Sequence, residues 1–399
     1  MGLGLPYEWW AKAHPTKDHM KTIGFGIIGG GLMGREFASA VARWAHLLDF
    51  DGRPQIVALC DKNPALYPWY KDNFPSIAQI TDDYKAMLAN PQVQAVYVAV
   101  PHNLHEEIYC AVINAGKHLM GEKPFGIDKK ANDAINRCIA EHPDVLVRSS
   151  SEFPFFPAMQ RIGEMIEANA FGQIIEAHGG FLHCSDLDPN KTINWKRMIQ
   201  FNGEYGCMGD LGLHVCHVPF RAGWTPKTVR AVLSKIVTER PDGKGGMAPC
   251  LTWDNATLLC DAVNPADGKS FPLTLRTHRI APGQKNTWYS EIWGTKKSAR
   301  WSSLNPKILE VMDYTGGDQT WQQIQTGYES AFKSITGPNF EFGFSDSIQQ
   351  MWAGFMYELI HGKPLKKFAG CATPAEAALS HRLFTASLKS HKESATVAV

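Results

Sequence analysis

The chain has 399 residues, which is too long for one ordinary hydrophobic core and suits two domains. Lys+Arg 40 against Asp+Glu 39 leaves a formal charge of +1, so no charge field points to nucleic acid or a membrane surface as partner. Nine cysteines without C-x-x-C spacing fit reduced thiols in the cytoplasm rather than a disulfide framework or zinc knuckle, and no apolar run approaches the ~18 residues of a membrane span.

Residues 1–21 hold Pro6, Glu8, Lys12 and Asp18 but no apolar core, so they read as an N-terminal arm and not a signal peptide; Trp9 and Trp10 would pack it on the body or on a neighbouring subunit. Next, Phe25-Gly26-Ile27-Ile28 is a short apolar strand running into Gly29-x-Gly31-x-x-Gly34, and the residues after it are helical. Gly29 permits the tight turn, Gly31 lets backbone approach a pyrophosphate, and Gly34 lets helix and strand pack closely. The helix N-terminus, at Leu32 and Met33, then offers free N–H groups to the phosphates. A second apolar strand, residues 55–61, ends in Asp61, which would accept from ribose hydroxyls and disfavour a 2′-phosphate; Lys62 beside it would tolerate one. This pattern points to NAD as the cofactor.

Strand and helix keep alternating to about residue 150. Residues 77–80 form a short strand and Thr81 caps a helix to 88, while 93–100 is an apolar run of the kind covered on both faces. A helix over 105–115 ends at Gly116, a strand spans 117–120, a helix 129–140 and a strand 145–147. The prediction is a doubly wound parallel Rossmann sheet with its ligand beyond the carboxyl ends of the strands. After Glu152-Phe153-Pro154 the pattern changes: a helix over 158–169, then strands at 173–182, 228–237, 252–262, 272–280 and 288–293, the last hairpinned with 298–301. These predict an α+β domain with a large, mainly antiparallel open sheet. Residues 345–361 are helical, and Thr373-Pro374-Ala375-Glu376 is a capping box opening a last helix to about 391. The expected division is arm 1–21, NAD-binding domain 22–150, substrate and oligomerisation domain 151–365, and C-terminal helix and tail 366–399.

Three further constellations sit where chemistry would. Pro101-His102-Asn103-Leu104-His105 follows a strand at the switch point, where a polar turn with a helix cap is the structural alternative. Glu122-Lys123-Pro124 follows the next strand and aims a lysine at the nicotinamide crevice. Asp210 and His214, four apart, share a helix face. Three roles are open to them: metal ligands, for which Cys216 and His217 are available, a structural hydrogen bond, or a base with its orienter.

In their order along the chain, Gly29-x-Gly31-x-x-Gly34, Asp61, Pro101-x-x-x-His105, Glu122-Lys123-Pro124 and Asp210-x-Gly212-x-His214 resemble the glucose–fructose oxidoreductase/inositol dehydrogenase (Gfo/Idh/MocA) family. The resemblance implies sugars, cyclitols or their derivatives as substrates and a homo-oligomer, dimer or tetramer, joined through the open sheet. By position it makes Lys123 and His214 catalytic with Asp210 beside them, and puts Pro101, His102, His105 and Glu122 at the cofactor. The chain departs from the family at His102, commonly asparagine, at Glu204-Tyr205-Gly206, commonly three glycines, and at His217, often aspartate. Tyr205 and His217 would therefore bring bulkier hydrogen-bonding groups to the substrate, and Trp195-Lys196-Arg197 a stacking ring and two cations for a phosphate, carboxylate or sulfonate.

The expected reaction is NAD-dependent hydride transfer at a secondary carbinol carbon of a sugar-like ring. His214 would be the base, Asp210 would fix its imidazole or bind a neighbouring hydroxyl, and Lys123 would stabilise alkoxide character. The rival expectation is an NAD-dependent glycosidase that oxidises transiently, eliminates an aglycone, adds water and re-reduces, for example on sulfoquinovosides or other anionic glycosides.

Overall fold

The computed structural model describes residues 20–399, so the reading of Trp9 and Trp10 lies outside the described residues. The first domain alternates β1 (Lys21–Ile28), α1 (Leu32–Ala42), β2 (Gly52–Cys60), α2 (Tyr67–Asn73), β3 (Gln79–Thr81), α3 (Tyr84–Leu88), β4 (Ala95–Val98), α4 (His105–Asn114), β5 (His118–Gly121), α5 (Lys129–Glu141) and β6 (Val147–Ser149). Its strands pair in parallel in the order β3-β2-β1-β4-β5-β6. The order reverses between β1 and β4, and that switch point opens the ligand crevice.

Apolar clusters cover both faces of this sheet. On one, Phe25 and Ile27 of β1 and Tyr97 of β4 pack with Phe37 of α1 and with Trp352, whose ring centroid lies 3.9 Å from that of Phe37. On the other, Ile28, Val96 and Val98 meet Ile108, Tyr109 and Ile135 of α4 and α5. Two-sided burial explains why β4 reads as an unbroken apolar run. The helix after β3 starts later than expected. Thr81 ends the strand and its hydroxyl accepts the Asp83 N–H, while the Asp83 carboxylate caps α3 through the Lys85 N–H at 2.9 Å.

The second domain contains α6 (Pro157–Glu167), β7 (Ile174–His183), α7 (Ile199–Asn202), α8 (Cys207–Ala222), β8 (Thr225–Ser234), a small hairpin of β9 (Glu239–Pro241) and β10 (Met247–Pro249), β11 (Asn255–Val263), β12 (Ser270–His278), β13 (Asn286–Gly294), β14 (Lys297–Ser302), β15 (Ile308–Asp313), β16 (Gln322–Gln325), α9 (Phe344–His361), α10 (Pro374–Glu393) and β17 (Val397–Ala398). Nine strands form one sheet, β16-β15-β14-β13-β7-β12-β11-β8-β17. It is mixed: β7 and β12 run parallel, and the other pairs antiparallel. The strands β15, β16 and β17 extend it beyond the expected set, and β8 stops at Ser234 because the Asp254 carboxylate takes the N–H groups of Ile236 and Val237.

Helices α8 and α10 lie on one face of this sheet. The capping box of α10 is present, with Thr373 Oγ1 accepting from Glu376 N–H and Glu376 returning the bond to Thr373 N–H at 2.8 Å. α9, although late in the sequence, packs on α1 of the first domain. The opposite sheet face leaves Ile175, Val232, Leu259 and Trp293 exposed. Among the described residues no helix is long and apolar enough to cross a membrane, and no three His, Cys, Asp or Glu side chains group as metal ligands.

Candidate active site

Between the carboxyl ends of β1, β4 and β5 and the α8 face of the second domain lies a cavity of about 620 Å³. Its first-domain wall is the glycine turn and the loops after β4 and β5. At Gly29 φ is +95°, and a Cβ there would meet the Ala99 carbonyl oxygen at 2.3 Å, so only glycine turns this corner. A Cβ at Gly34 would strike the Gly29 carbonyl oxygen at 2.4 Å, whereas one at Gly31 meets nothing within 4 Å. Gly31 therefore leaves an open cradle directly before α1, whose N-terminus carries no side-chain cap. That cradle fits a pyrophosphate on free backbone N–H groups.

At the end of β2, Asp61 accepts the Gly30 N–H at 2.7 Å and the Asn63 N–H at 2.8 Å, which ties the carboxylate to the glycine turn. Leu32, Met33, Pro101, His102 and Glu122 line the cavity. Lys62 is exposed and faces Asp82 at 3.8 Å. His105 does not reach the cavity: it is wholly buried, with Nε2 bonded to the Val100 carbonyl at 3.1 Å and its ring stacked on Tyr109, so it supports the loop from beneath. Glu122 Oε1 accepts from Tyr97 and Ser150 hydroxyls at 2.7 and 2.6 Å.

Lys123 leaves the end of β5 and reaches α8, donating to the Asp210 carbonyl at 2.6 Å and to its Oδ1 at 3.0 Å. An ammonium has three donors, so one remains for a ligand. Burial pulls this group down, but Asp210 and then Glu122 outweigh it and set it above its ordinary value, so it is charged. Asp210 is surrounded by cations. Besides Lys123 it takes Lys196 at 2.9 Å and Arg279 Nη1, and despite burial these three hold its carboxyl well below the usual range. Burial first, against the upward pull of Asp210, brings Lys196 down to about 8.

The expectation that Asp210 fixes the His214 imidazole is therefore corrected. Both sit on α8 as the spacing required, but the carboxylate is taken up by Lys123, Lys196 and Arg279. His214 is held edge-on between Phe153 and Phe181, with ring centroids 5.5 Å from each. Its Nδ1 has no hydrogen bond and lies 3.7 Å from Glu152 Oε2. Burial, then Lys123, pushes this imidazole well below its ordinary value, so it is neutral at pH 7.

Three substrate assignments made from the sequence are also corrected. Arg197 is completely buried and pairs with Asp254 and Asp186, bracing the loop rather than facing the cavity. The Tyr205 hydroxyl turns to Thr385 at 2.7 Å on α10. His217, three residues on from His214, faces Arg221 and Glu376 and does not line the cavity. Trp195 and Lys196 do line it, on a short turn capped by the Asn194 side chain. Sequence reasoning missed Glu152 and Arg279. Glu152 follows β6 as Lys123 follows β5, so the same positional rule would have found it. Arg279 carries no local signal.

Residues 23–148 match the family model described as oxidoreductase family, NAD-binding Rossmann fold. Levoglucosan dehydrogenase of Pseudarthrobacter phenanthrenivorans is 26% identical over 338 residues, covering 81% of this chain and 83% of that protein. Inositol 2-dehydrogenase of Pseudomonas fluorescens is 26% identical over 175 residues, 44% of this chain and 49% of its own. A solved structure of levoglucosan dehydrogenase in complex with NADH and L-sorbose superposes with a TM-score of 0.84 at 23% identity, covering 95% of this chain and 99% of that one. Residues 23–148 thus carry the NAD-binding Rossmann domain of the Gfo/Idh/MocA oxidoreductases, the cofactor is NAD, and the chain as a whole is similar to the sugar dehydrogenases named above.

Proposed function

We propose that the protein is an NAD-dependent dehydrogenase that oxidises a secondary alcohol of a sugar or sugar derivative. The observation that carries this reading is the meeting, in one cavity, of the Gly31 cradle, a lysine ammonium with one donor to spare, and a neutral imidazole. Support for a sugar comes from the relatives named levoglucosan dehydrogenase and inositol 2-dehydrogenase. The rings of Phe181, Trp195 and Phe344 suit the C–H faces of a sugar, and Asn194, His183 and Asn286 suit its hydroxyls.

Bound NAD supplies the hydride acceptor. The Gly29–Gly34 turn and the α1 N-terminus hold its pyrophosphate, and Asp61 receives the adenosine ribose. Lys123 donates its third N–H to the reacting oxygen and stabilises the alkoxide character that develops there. Asp210 holds that ammonium in place through two hydrogen bonds. His214, neutral and facing the cavity, accepts the hydroxyl proton. The exposed apolar sheet face, with Ile175, Val232, Leu259 and Trp293, supports a homo-oligomer joined there, which sedimentation would reveal.

A panel of free sugars and glycosides incubated with NAD tests the reaction, following NADH absorbance and aglycone release together. Steady NADH formation from a free sugar or anhydrosugar is expected. Aglycone release with catalytic NAD and no accumulated NADH would replace this reading by the glycosidase one.

A further inference from the structure

Asp210 has no capacity left for His214, so the base needs another carboxylate. Glu152 is buried, lines the same cavity, and its Oε2 is 3.7 Å from His214 Nδ1, a buried nitrogen without a hydrogen-bond partner. Such contacts are often long without substrate and shorten when it binds. We propose that Glu152 is the proton-accepting partner of His214: as Nε2 takes the substrate hydroxyl proton, Nδ1 passes its own to Oε2. This rests on the reading of His214 as the base. The substrate O–H and the Nδ1–H bonds break, the Nε2–H and the glutamic O–H bonds form, and the imidazole stays neutral. After product leaves, Nε2 gives its proton to water and Nδ1 takes one back from the carboxyl, which restores the starting tautomer and the carboxylate.

Glu122 and Lys123 face Glu152 from the end of β5, Glu36 from α1 and His214 from α8; Lys123, Asp210, His183 and His217 surround His214. Burial first, and then Glu122 against Lys123, lifts the Glu152 carboxyl to about 7. The neutral-pH limb of activity thus belongs to Glu152. Oxidation requires the carboxylate and rises with pH through about 7, and ketone reduction requires the acid and falls over the same range.

The test uses the NAD-bound full chain. Nitrogen NMR of labelled histidine should find the His214 proton on Nδ1, with a shift titrating near 7 that Glu152→Gln abolishes. In kinetics, Glu152→Gln should lose turnover on the order of 10²-fold and lose the limb, with KM for NAD unchanged, and Glu152→Asp should recover part of both. A limb that persists in Glu152→Gln, or an imidazole protonated on Nε2 in both proteins, would overturn the pairing. If no sugar is oxidised by the unmodified protein, the dehydrogenase reading fails while the NMR result still decides the pairing.

A second site is carried by a separate observation. Cys110 of α4 and Cys138 of α5 are both partly exposed, and their sulfurs lie 2.7 Å apart. That is inside the ~3.5–4.0 Å at which unbonded heavy atoms rest, and near the ~2.05 Å of a disulfide. We infer that this pair is a site of reversible oxidation, closing a disulfide that joins α4 to α5 when a peroxide is the oxidant. Burial, and then the Cys138 sulfur, push the Cys110 thiol up to about 12. The thiolate of one cysteine takes one peroxide oxygen as sulfenic acid and releases hydroxide; the other then attacks that sulfur and expels water. Overall, two thiols and one hydrogen peroxide give one disulfide and two waters.

Treating the NAD-bound chain with hydrogen peroxide, alkylating and mapping peptides should yield one cross-linked Cys110–Cys138 peptide. The melting temperature should rise by a few degrees and return with dithiothreitol. In Cys110→Ser and in Cys138→Ser the cross-link should be lost and the remaining thiol trapped as a dimedone-reactive sulfenic acid. Both thiols alkylated after peroxide, or cross-links scattered over other cysteines, would refute the site.

Discussion

Replacing Asp210 by asparagine preserves side-chain volume and removes one buried negative charge from among three cations. Lys123 and Lys196 lie 3.0 and 2.9 Å from Oδ1, and Arg279 touches Oδ2. At an effective dielectric near 20, a charge pair ~3 Å apart interacts by roughly 5 kcal/mol. Full loss of all three is not expected, because Arg279 keeps Asp186 at 2.7 Å and Lys196 can shed its proton. Breaking one buried pair costs about 3–5 kcal/mol, and that is the expected loss of stability at pH 6.

The pH dependence follows from Lys196, whose folded value of about 8 already lies below the ordinary lysine value of 10.5. Where a lysine is depressed on folding, the unfolded chain binds the additional proton, and stability rises with pH from the folded value toward the unfolded one. Asp210 is the largest upward influence on Lys196, so in the variant that rise begins below 8. In the unmodified protein Lys196 is mostly neutral at pH 9, and little attraction to Asp210 remains to be lost. The deficit should therefore be smaller at pH 9 than at pH 6. Asp210 itself, held well below 3.8, stays ionised throughout and adds no slope. Urea unfolding followed by tryptophan fluorescence at both pH values measures this. Equal midpoints for the two proteins at pH 6, or a deficit of the same size at pH 6 and 9, would refute the reasoning.

Other outcomes follow from the same geometry. Lys123→Met should reduce turnover on the order of 10²–10³-fold with NAD affinity nearly intact, read by steady-state kinetics and calorimetry. Gly31→Ala should leave the melting temperature of the cofactor-free protein unchanged, since the new methyl meets nothing, but weaken NAD binding by filling the cradle. Asp61→Ala should narrow the preference for NAD over NADP measured by calorimetry; tighter NADP binding to the unmodified protein would contradict the role of this carboxylate. Tyr205→Phe should cost about 1 kcal/mol through loss of the Thr385 bond and leave substrate KM unchanged.

Much of this protein is written in short-range chemistry that a sequence displays directly. The glycine turn is legible because Gly29 needs a positive φ and Gly34 a bare Cα, requirements local to a dozen residues. The alternation of β1 to β6 with helices, the apolar run of β4 and the Thr373–Glu376 capping box are equally local, and they determined the Rossmann fold and its NAD site. Helical spacing likewise put Asp210 and His214 together on α8. Spacing could not say which groups would face them, because the whole helix but Arg221 is buried and each side meets a different element. The partners of Asp210 come from 87 and 14 positions upstream and 69 downstream, and Glu152 reaches His214 from the end of β6. In the same way Tyr205 and His217, adjacent to the site along the chain, turn toward α10 and its capping glutamate and leave the cavity to Arg279 and Glu152. Backbone conformation and capping are decided within one turn of chain, whereas the pairing of buried charges is decided only when distant segments compete for the same few ångströms.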